Sequence, residues 1–148
     1  MENKVNIQNR KAKFEYHFIT TTVAGMVLEG TEVKGIREGL VSFVDSFCYF
    51  KDGELLLKGI NIGNPKYAVG YQHEPLRERK LLLSKKELKK WESELDNNVT
   101  IVPTNIFTNE RGFIKVGIAL AKGKKLYDKR ESIKERDIQK EIKRDLAR

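Results

Sequence analysis

The chain of 148 residues has one cysteine, Cys48, so it closes no internal disulfide and suits a reducing compartment. Its two histidines, His17 and His73, lie far apart, and neither has a Cys or His at metal-ligand spacing. No Gly-rich loop has Walker spacing: Lys122-Gly123-Lys124-Lys125 is basic but lacks the rest of that motif. Acidic residues are scattered and nowhere form the pair that a nuclease metal site would demand. No run approaches the roughly 18 apolar residues of a membrane helix, and the opening MENKVNIQNRKAK is too polar for a secretion signal. These absences lead us to expect a cytoplasmic protein that is not an enzyme and needs no metal or cofactor.

What is abundant is charge. Charged residues make up 34% of the chain against 39% hydrophobic, and the net charge is +8. That is enough apolar sequence for one globular domain. The positive excess favours a polyanionic partner, because cations that meet phosphates release condensed counterions.

The chain divides into three zones: a short, polar, basic arm at 1–13, expected to be flexible; a β-rich body at 14–121; and a basic tail at 122–148. In the body, Phe14 to Thr22 reads as a strand, rich in aromatic and β-branched residues. Ala24 to Glu29 suggests a short helical turn ended by Gly30, and Thr31 to Arg37 another strand. Asp52-Gly53 between Ser42–Phe50 and Glu54–Ile62 is a hairpin signature, because glycine accepts the positive φ of a tight turn. Cys48 falls inside that strand-like run and is expected to be a buried, inert thiol. Ser84 and Glu87 have capping-box spacing, and Leu88, Trp91 and Leu95 follow on one helical face, with Asn97-Asn98 closing the helix. That stripe reads as core packing. Thr100–Thr108 and Phe113–Ala121 form a second hairpin through Asn109-Glu110-Arg111-Gly112. Ile114, Val116, Ile118 and Leu120 alternate into a core, while Lys115, Gly117, Ala119 and Ala121 point the other way. Short antiparallel strands interrupted by a helix suggest a small closed barrel, with a sandwich as the alternative.

Of the excess charge, +5 lies in residues 122–148, which hold 11 basic and 6 acidic side chains. As a helix the tail separates three arcs: Arg136, Lys140, Lys143 and Arg144; Asp137, Glu141 and Asp145; and Ile138, Ile142 and Leu146. Like-charged i, i+4 pairs there each cost about 0.2–0.5 kcal/mol and are roughly offset by attractive i, i+3 pairs. Such a helix is marginal alone. We expect the tail to be disordered when free and helical once phosphates screen the basic arc. The alternative is a terminal helix docked on the barrel.

Ordered blocks along 9–144 closely resemble one family. They are Asn9-Arg10-Lys11-Ala12, Glu15-Tyr16, Ala24-Gly25, Gly30-Thr31-Glu32-Val33-Lys34, Arg37 with Gly39, and Arg79-Lys80-Leu81-Leu82-Leu83. The strongest run is Lys115-Val116, Ile118-Ala119-Leu120-Ala121-Lys122-Gly123-Lys124-Lys125, then Tyr127-Asp128-Lys129-Arg130-Glu131, Ile133-Lys134 and Arg136-Asp137. This pattern resembles SmpB, the protein partner of transfer-messenger RNA (tmRNA, or SsrA RNA). The resemblance implies a mainly β (α+β) fold, a six-stranded antiparallel oligonucleotide-binding (OB-type) barrel with accessory helices and a basic C-terminal tail. It also implies trans-translation, the rescue of ribosomes stalled on messages without a stop codon. The barrel would grip the tRNA-like domain of tmRNA, and the tail would enter the empty mRNA channel. The implied partners are tmRNA and small-subunit ribosomal RNA, with elongation factor Tu and alanyl-tRNA synthetase engaged indirectly through tmRNA.

The matching positions suit that work. Arg10, Lys11, Lys34, Arg37 and Lys115 are expected to contact tmRNA phosphates, with Asn9 hydrogen-bonding phosphate or sugar and Leu82 packing on a nucleotide face. Lys122, Lys124 and Lys125 would hold ribosomal RNA where the tail leaves the barrel. Tyr127 would stack on a decoding-centre base, and Asp128, Lys129 and Arg130 orient the Arg136, Lys140, Lys143 and Arg144 arc. Glu32 is expected only to order Lys34 or Arg37. Two positions depart from the family: Val23 stands where an acidic residue is common, and Phe14 where His is. The competing reading is a generic ribosomal or assembly protein that binds rRNA.

Overall fold

The structure, a computed structural model, describes residues 4–66, 70–95 and 98–124. The elements run β1 (Asn6–Gln8), α1 (Arg10–Glu15), β2 (Tyr16–Met26), α2 (Gly30–Arg37), β3 (Val41–Ser42), β4 (Phe47–Lys51) and β5 (Glu54–Lys58). They continue with β6 (Asn61–Ile62), β7 (Arg79–Leu82), α3 (Lys85–Glu94), β8 (Val99–Thr108) and β9 (Ile114–Gly123). The protein is mainly β. Antiparallel pairings pass from β8 to β4, β5, β7, β2 and β9 and return to β8, a closed circuit of strands with β1 added on β8.

Both hairpins form where turn chemistry places them. Asp52 and Gly53 have φ of 52° and 78°, the two positive values that a tight two-residue loop needs, and Lys51 pairs with Glu54 across it. Its arms are shorter than expected. They part near Asp45 (φ 59°) and Gly59 (φ 84°), and their outer ends pair separately as β3 and β6. The approach there demands glycine, since a Cβ on residue 59 would lie 2.5 Å from the Asp45 carbonyl oxygen. In the second hairpin the alternation holds: Val116, Ile118 and Leu120 are buried in the main core with Leu55, Leu57 and Ile101. Ala119 and Ala121, on the opposite face, are also buried, because α1 lays Ala12 over them.

Three expectations need correction. The strand expected from Phe14 starts at Tyr16 and runs on to Met26, replacing the expected helical turn at Ala24. Its long pairing with β9 extends it past Gly25. Thr31–Arg37 belongs to a helix, α2, whose start is secured by the Glu29 N–H donating to Glu32 Oε1 at 2.8 Å. Glu32, Gly35 and Ile36 form its buried face, a helical rather than an alternating spacing. The arm at 1–13 is not free along residues 6–13. Asn6–Gln8 pair with β8, and Arg10 opens α1. Half of the expected capping box forms on α3: the Ser84 hydroxyl accepts from the Glu87 N–H at 3.2 Å, while the Glu87 carboxylate accepts from the Ser84 and Thr22 hydroxyls; Trp91 is buried. That helix ends at Glu94, and Leu95 packs on the core from beyond it.

Candidate nucleic-acid interface

Gly25 lies in β2 between two partners. It pairs with Leu82 of β7 on one side and Lys115 of β9 on the other. A Cβ on residue 25 would stand 3.3 Å from Leu82 Cβ and 3.6 Å from Lys115 Nζ. The missing side chain therefore leaves room for the lysine ammonium beside an exposed leucine. Arg37, at the end of α2, and Phe113, just before β9, complete a cleft of about 340 Å³. Leu82 is 51% and Phe113 62% exposed. Among the described residues no carboxylate pairs with Arg37 or Lys115. Two uncompensated cations flanking exposed apolar surface suit a phosphate with a nucleotide face beside it.

Of the expected RNA-binding residues, Arg37, Leu82 and Lys115 meet in this cleft. Phe113 was missed, although an exposed aromatic straight after the hairpin glycine was visible in the sequence. Arg10 and Lys11 are exposed on the first turn of α1. Lys11 edges a different cleft, of about 350 Å³, with Tyr16, Phe43 and Phe47. Lys34 is exposed on α2 outside both clefts.

Asn9 makes its hydrogen bonds within the protein. It is buried, its amide donates to the Pro103 carbonyl oxygen at 2.7 Å, and its oxygen accepts from the Ala12 N–H at 3.3 Å. With both bonds made inside the protein, it fixes the start of α1, the helix on which Arg10 and Lys11 are exposed.

Glu32 also differs. It does not order Lys34 or Arg37; it is completely buried and joins α2 to the start of β7 and the residues just before it. Oε1 accepts from Arg77 Nη2 at 2.5 Å, and Oε2 accepts from Arg79 Nε at 2.6 Å. Arg79 is equally buried and donates further to the carbonyls of Ile60 and Pro75. Burial alone would raise the Glu32 pKa. The hydrogen bonds from Arg77, the Glu29 N–H and Arg79 outweigh it and hold the carboxyl below its ordinary value. The ion-paired lock keeps the helix carrying Arg37 against the sheet.

His73 is buried, with its ring between the Thr31 hydroxyl (2.7 Å) and the Ile62 carbonyl (2.6 Å). A carbonyl only accepts, so Nε2 carries a proton. Burial pushes the Cys48 thiol well up from its ordinary value and keeps it protonated. No cluster of His, Cys, Asp and Glu suited to a metal occurs among the described residues.

Of the tail positions, Lys122 is exposed near the end of β9, and the Lys124 N–H donates to the Glu15 carbonyl at 2.8 Å. Lys125, Tyr127, Asp128, Lys129, Arg130, Arg136, Lys140, Lys143 and Arg144 lie outside the described residues. Val23 is 53% exposed on β2, opposite Gly117 of β9.

Comparison with known proteins adds the following. The family model described as SmpB protein matches residues 6–148. The SsrA-binding protein of Phocaeicola vulgatus is 52% identical over 145 residues, covering 97% of each chain. The SsrA-binding protein of Thermosipho africanus is 47% identical over 148 residues, covering 98% of each. A chain from the solved structure described as "tmRNA-SmpB: a journey to the center of the bacterial ribosome" superposes with a TM-score of 0.71. It is 40% identical and covers 86% of this chain and 94% of that one.

Proposed function

This chain belongs to the SmpB protein family, and on that premise we propose that it is a tmRNA-binding adaptor for trans-translation. The observation that carries the reading is the Gly25 row, where an unpaired Lys115 stands beside exposed Leu82 with Arg37 across the cleft. The strand circuit is read as an OB-type barrel, a scaffold suited to exposed RNA loops.

In this reading the protein makes and breaks no bonds. Arg37 and Lys115 neutralise phosphates of the tRNA-like domain, and Leu82 and Phe113 cover an unstacked nucleotide. Arg10, Lys11 and Lys34 add peripheral phosphate contacts. The chain divides into a barrel that holds tmRNA and a basic segment, 122–148, that becomes helical in the vacant mRNA channel. Lys122, Lys124 and Lys125 meet ribosomal RNA at its root, and Tyr127 stacks on a decoding-centre base. Elongation factor Tu and alanyl-tRNA synthetase are engaged through the tmRNA, in the cytoplasm.

Competition binding tests the reading. The protein should prefer the tRNA-like domain over a bulk tRNA or an rRNA fragment of similar size. Lys115→Ala should weaken that binding about tenfold and reduce the salt slope by about 1. Equal affinity for all three RNAs would instead mark a generic rRNA-binding protein.

A further inference from the structure

α3 carries four lysines with no role so far. Lys85, Lys86, Lys89 and Lys90 are all exposed. At about 100° per residue they share an arc of roughly 140° that faces away from buried Trp91. Among the described residues none of the four has an ion pair or a side-chain hydrogen bond. Helix stability alone gives them little: Lys85–Lys89 and Lys86–Lys90 are like-charged i, i+4 neighbours that offset the attractive spacings Lys89–Glu92 and Lys90–Glu94, and the first two lysines sit at the positive end of the helix dipole. The acid nearest them in sequence, Glu87, is turned to other partners: it accepts from Thr22 Oγ1 at 3.2 Å and is bonded to Ser84.

Two tethers place the start of this helix beside the tmRNA cleft. Lys85 follows Leu82 by three residues, and Thr22, which holds Glu87, precedes Gly25 on β2 by three. Three residues of extended chain span about 10 Å. An RNA seated over Leu82, Gly25 and Lys115 therefore has the lysine arc within reach of its backbone.

We propose that the outer face of α3 is a second phosphate-binding surface, which extends the Lys115 cleft and takes the backbone of the same tmRNA. The inference rests on the functional reading above. Arg37, Leu82 and Lys115 hold one nucleotide region, and Lys86 and Lys89, at the centre of the arc, neutralise phosphates further along.

The test uses the full chain and the tRNA-like domain of tmRNA as probe. Lys86→Gln/Lys89→Gln should reduce the salt slope by about 1.4–1.8, since each phosphate contact contributes about 0.7–0.9. Affinity at 150 mM salt should fall about tenfold. Charge-matched Lys58→Gln/Lys66→Gln should change affinity less than about twofold, and Lys86→Arg/Lys89→Arg should restore the slope, because the charge is kept. An unchanged slope in the glutamine variant, or an equal loss in the charge-matched one, overturns the proposal. Intact tmRNA binding with weakened binding to isolated small subunits also overturns it and assigns the face to ribosomal RNA. Should the unsubstituted protein fail to select the tRNA-like domain, the functional reading itself fails, a result distinct from a defect confined to the α3 variant.

Discussion

Glu32 holds two arginines at once with no exposed surface, so its removal strands a buried guanidinium at Arg79. Losing one partner of such a pair costs about 3–5 kcal/mol. Glu32→Gln should be destabilised by that order in urea titrations. Because the folded carboxyl is held below its ordinary 4.5, its contribution is complete above that value and is lost as pH falls through the lowered folded value. The Gln variant should therefore show a flatter decline of stability than the unsubstituted protein on the acid side of 4.5, and a constant deficit at neutral pH. Gly25 offers a complementary test. Gly25→Val sets a Cβ 3.6 Å from Lys115 Nζ and adds γ-methyls that crowd the ammonium, yet favours the strand. RNA affinity should drop about tenfold, equivalent to about 1.4 kcal/mol, with little change in thermal midpoint; equal losses in both would reject the steric explanation. Neither arrangement was legible in the sequence. Arg79 is 47 residues from Glu32, and a local reading offered only Lys34 and Arg37 as partners. Lys115 was correctly read as pointing away from the core, but alternation carries no register and could not set it beside Gly25 and Leu82.

The legible elements are those whose signal is local. The Asp52-Gly53 turn and the Ser84 cap each depend on atoms within a few residues, and both form as read. α2 was misread because its buried face includes a carboxylate: counting only apolar residues hides the spacing of Glu32, Gly35 and Ile36. Gly35 added to the error, since its smallness serves contact between elements; a Cβ there would lie 2.1 Å from the Gly63 carbonyl oxygen. α1 was taken for the end of an arm because what secures it is distant, the Asn9 amide on Pro103. Asn9→Ala removes both that bond and the cap to Ala12, and should cost about 2 kcal/mol in thermal or urea unfolding. RNA affinity at fixed salt should stay within about twofold, because both amide atoms are engaged inside the protein. A loss of about tenfold at unchanged salt, about 1.4 kcal/mol, would place Asn9 in the RNA interface.

At the scale of the whole molecule, β2 and β9 decide the layout, and their pairing joins residues about a hundred positions apart, from Tyr16 with Gly123 to Gly25 with Lys115. Sequence pattern alone could not supply that long-range match, so the second hairpin was legible and its place in the strand circuit was not. The same pairing sets the distance between the two functions. Lys115 precedes Gly123 by eight strand residues, about 27 Å at 3.3–3.4 Å each. The cleft therefore lies well along the sheet from the point where the chain leaves it beside Glu15. With +5 of the net +8 charge beyond residue 121, a single extended RNA site would need both ends, whereas two sites predict separable defects. Deleting residues 127–148 should leave affinity for the tRNA-like domain within about threefold, a shift of less than about 1 kcal/mol, while tagging of peptides on stalled ribosomes is abolished. Lys115→Ala in the full chain should do the reverse at the first step, weakening RNA capture while its tail is unaltered. Gel-shift titration and a reconstituted tagging reaction separate the two, and tagging that survives the truncation would show that the β-rich body alone suffices for rescue.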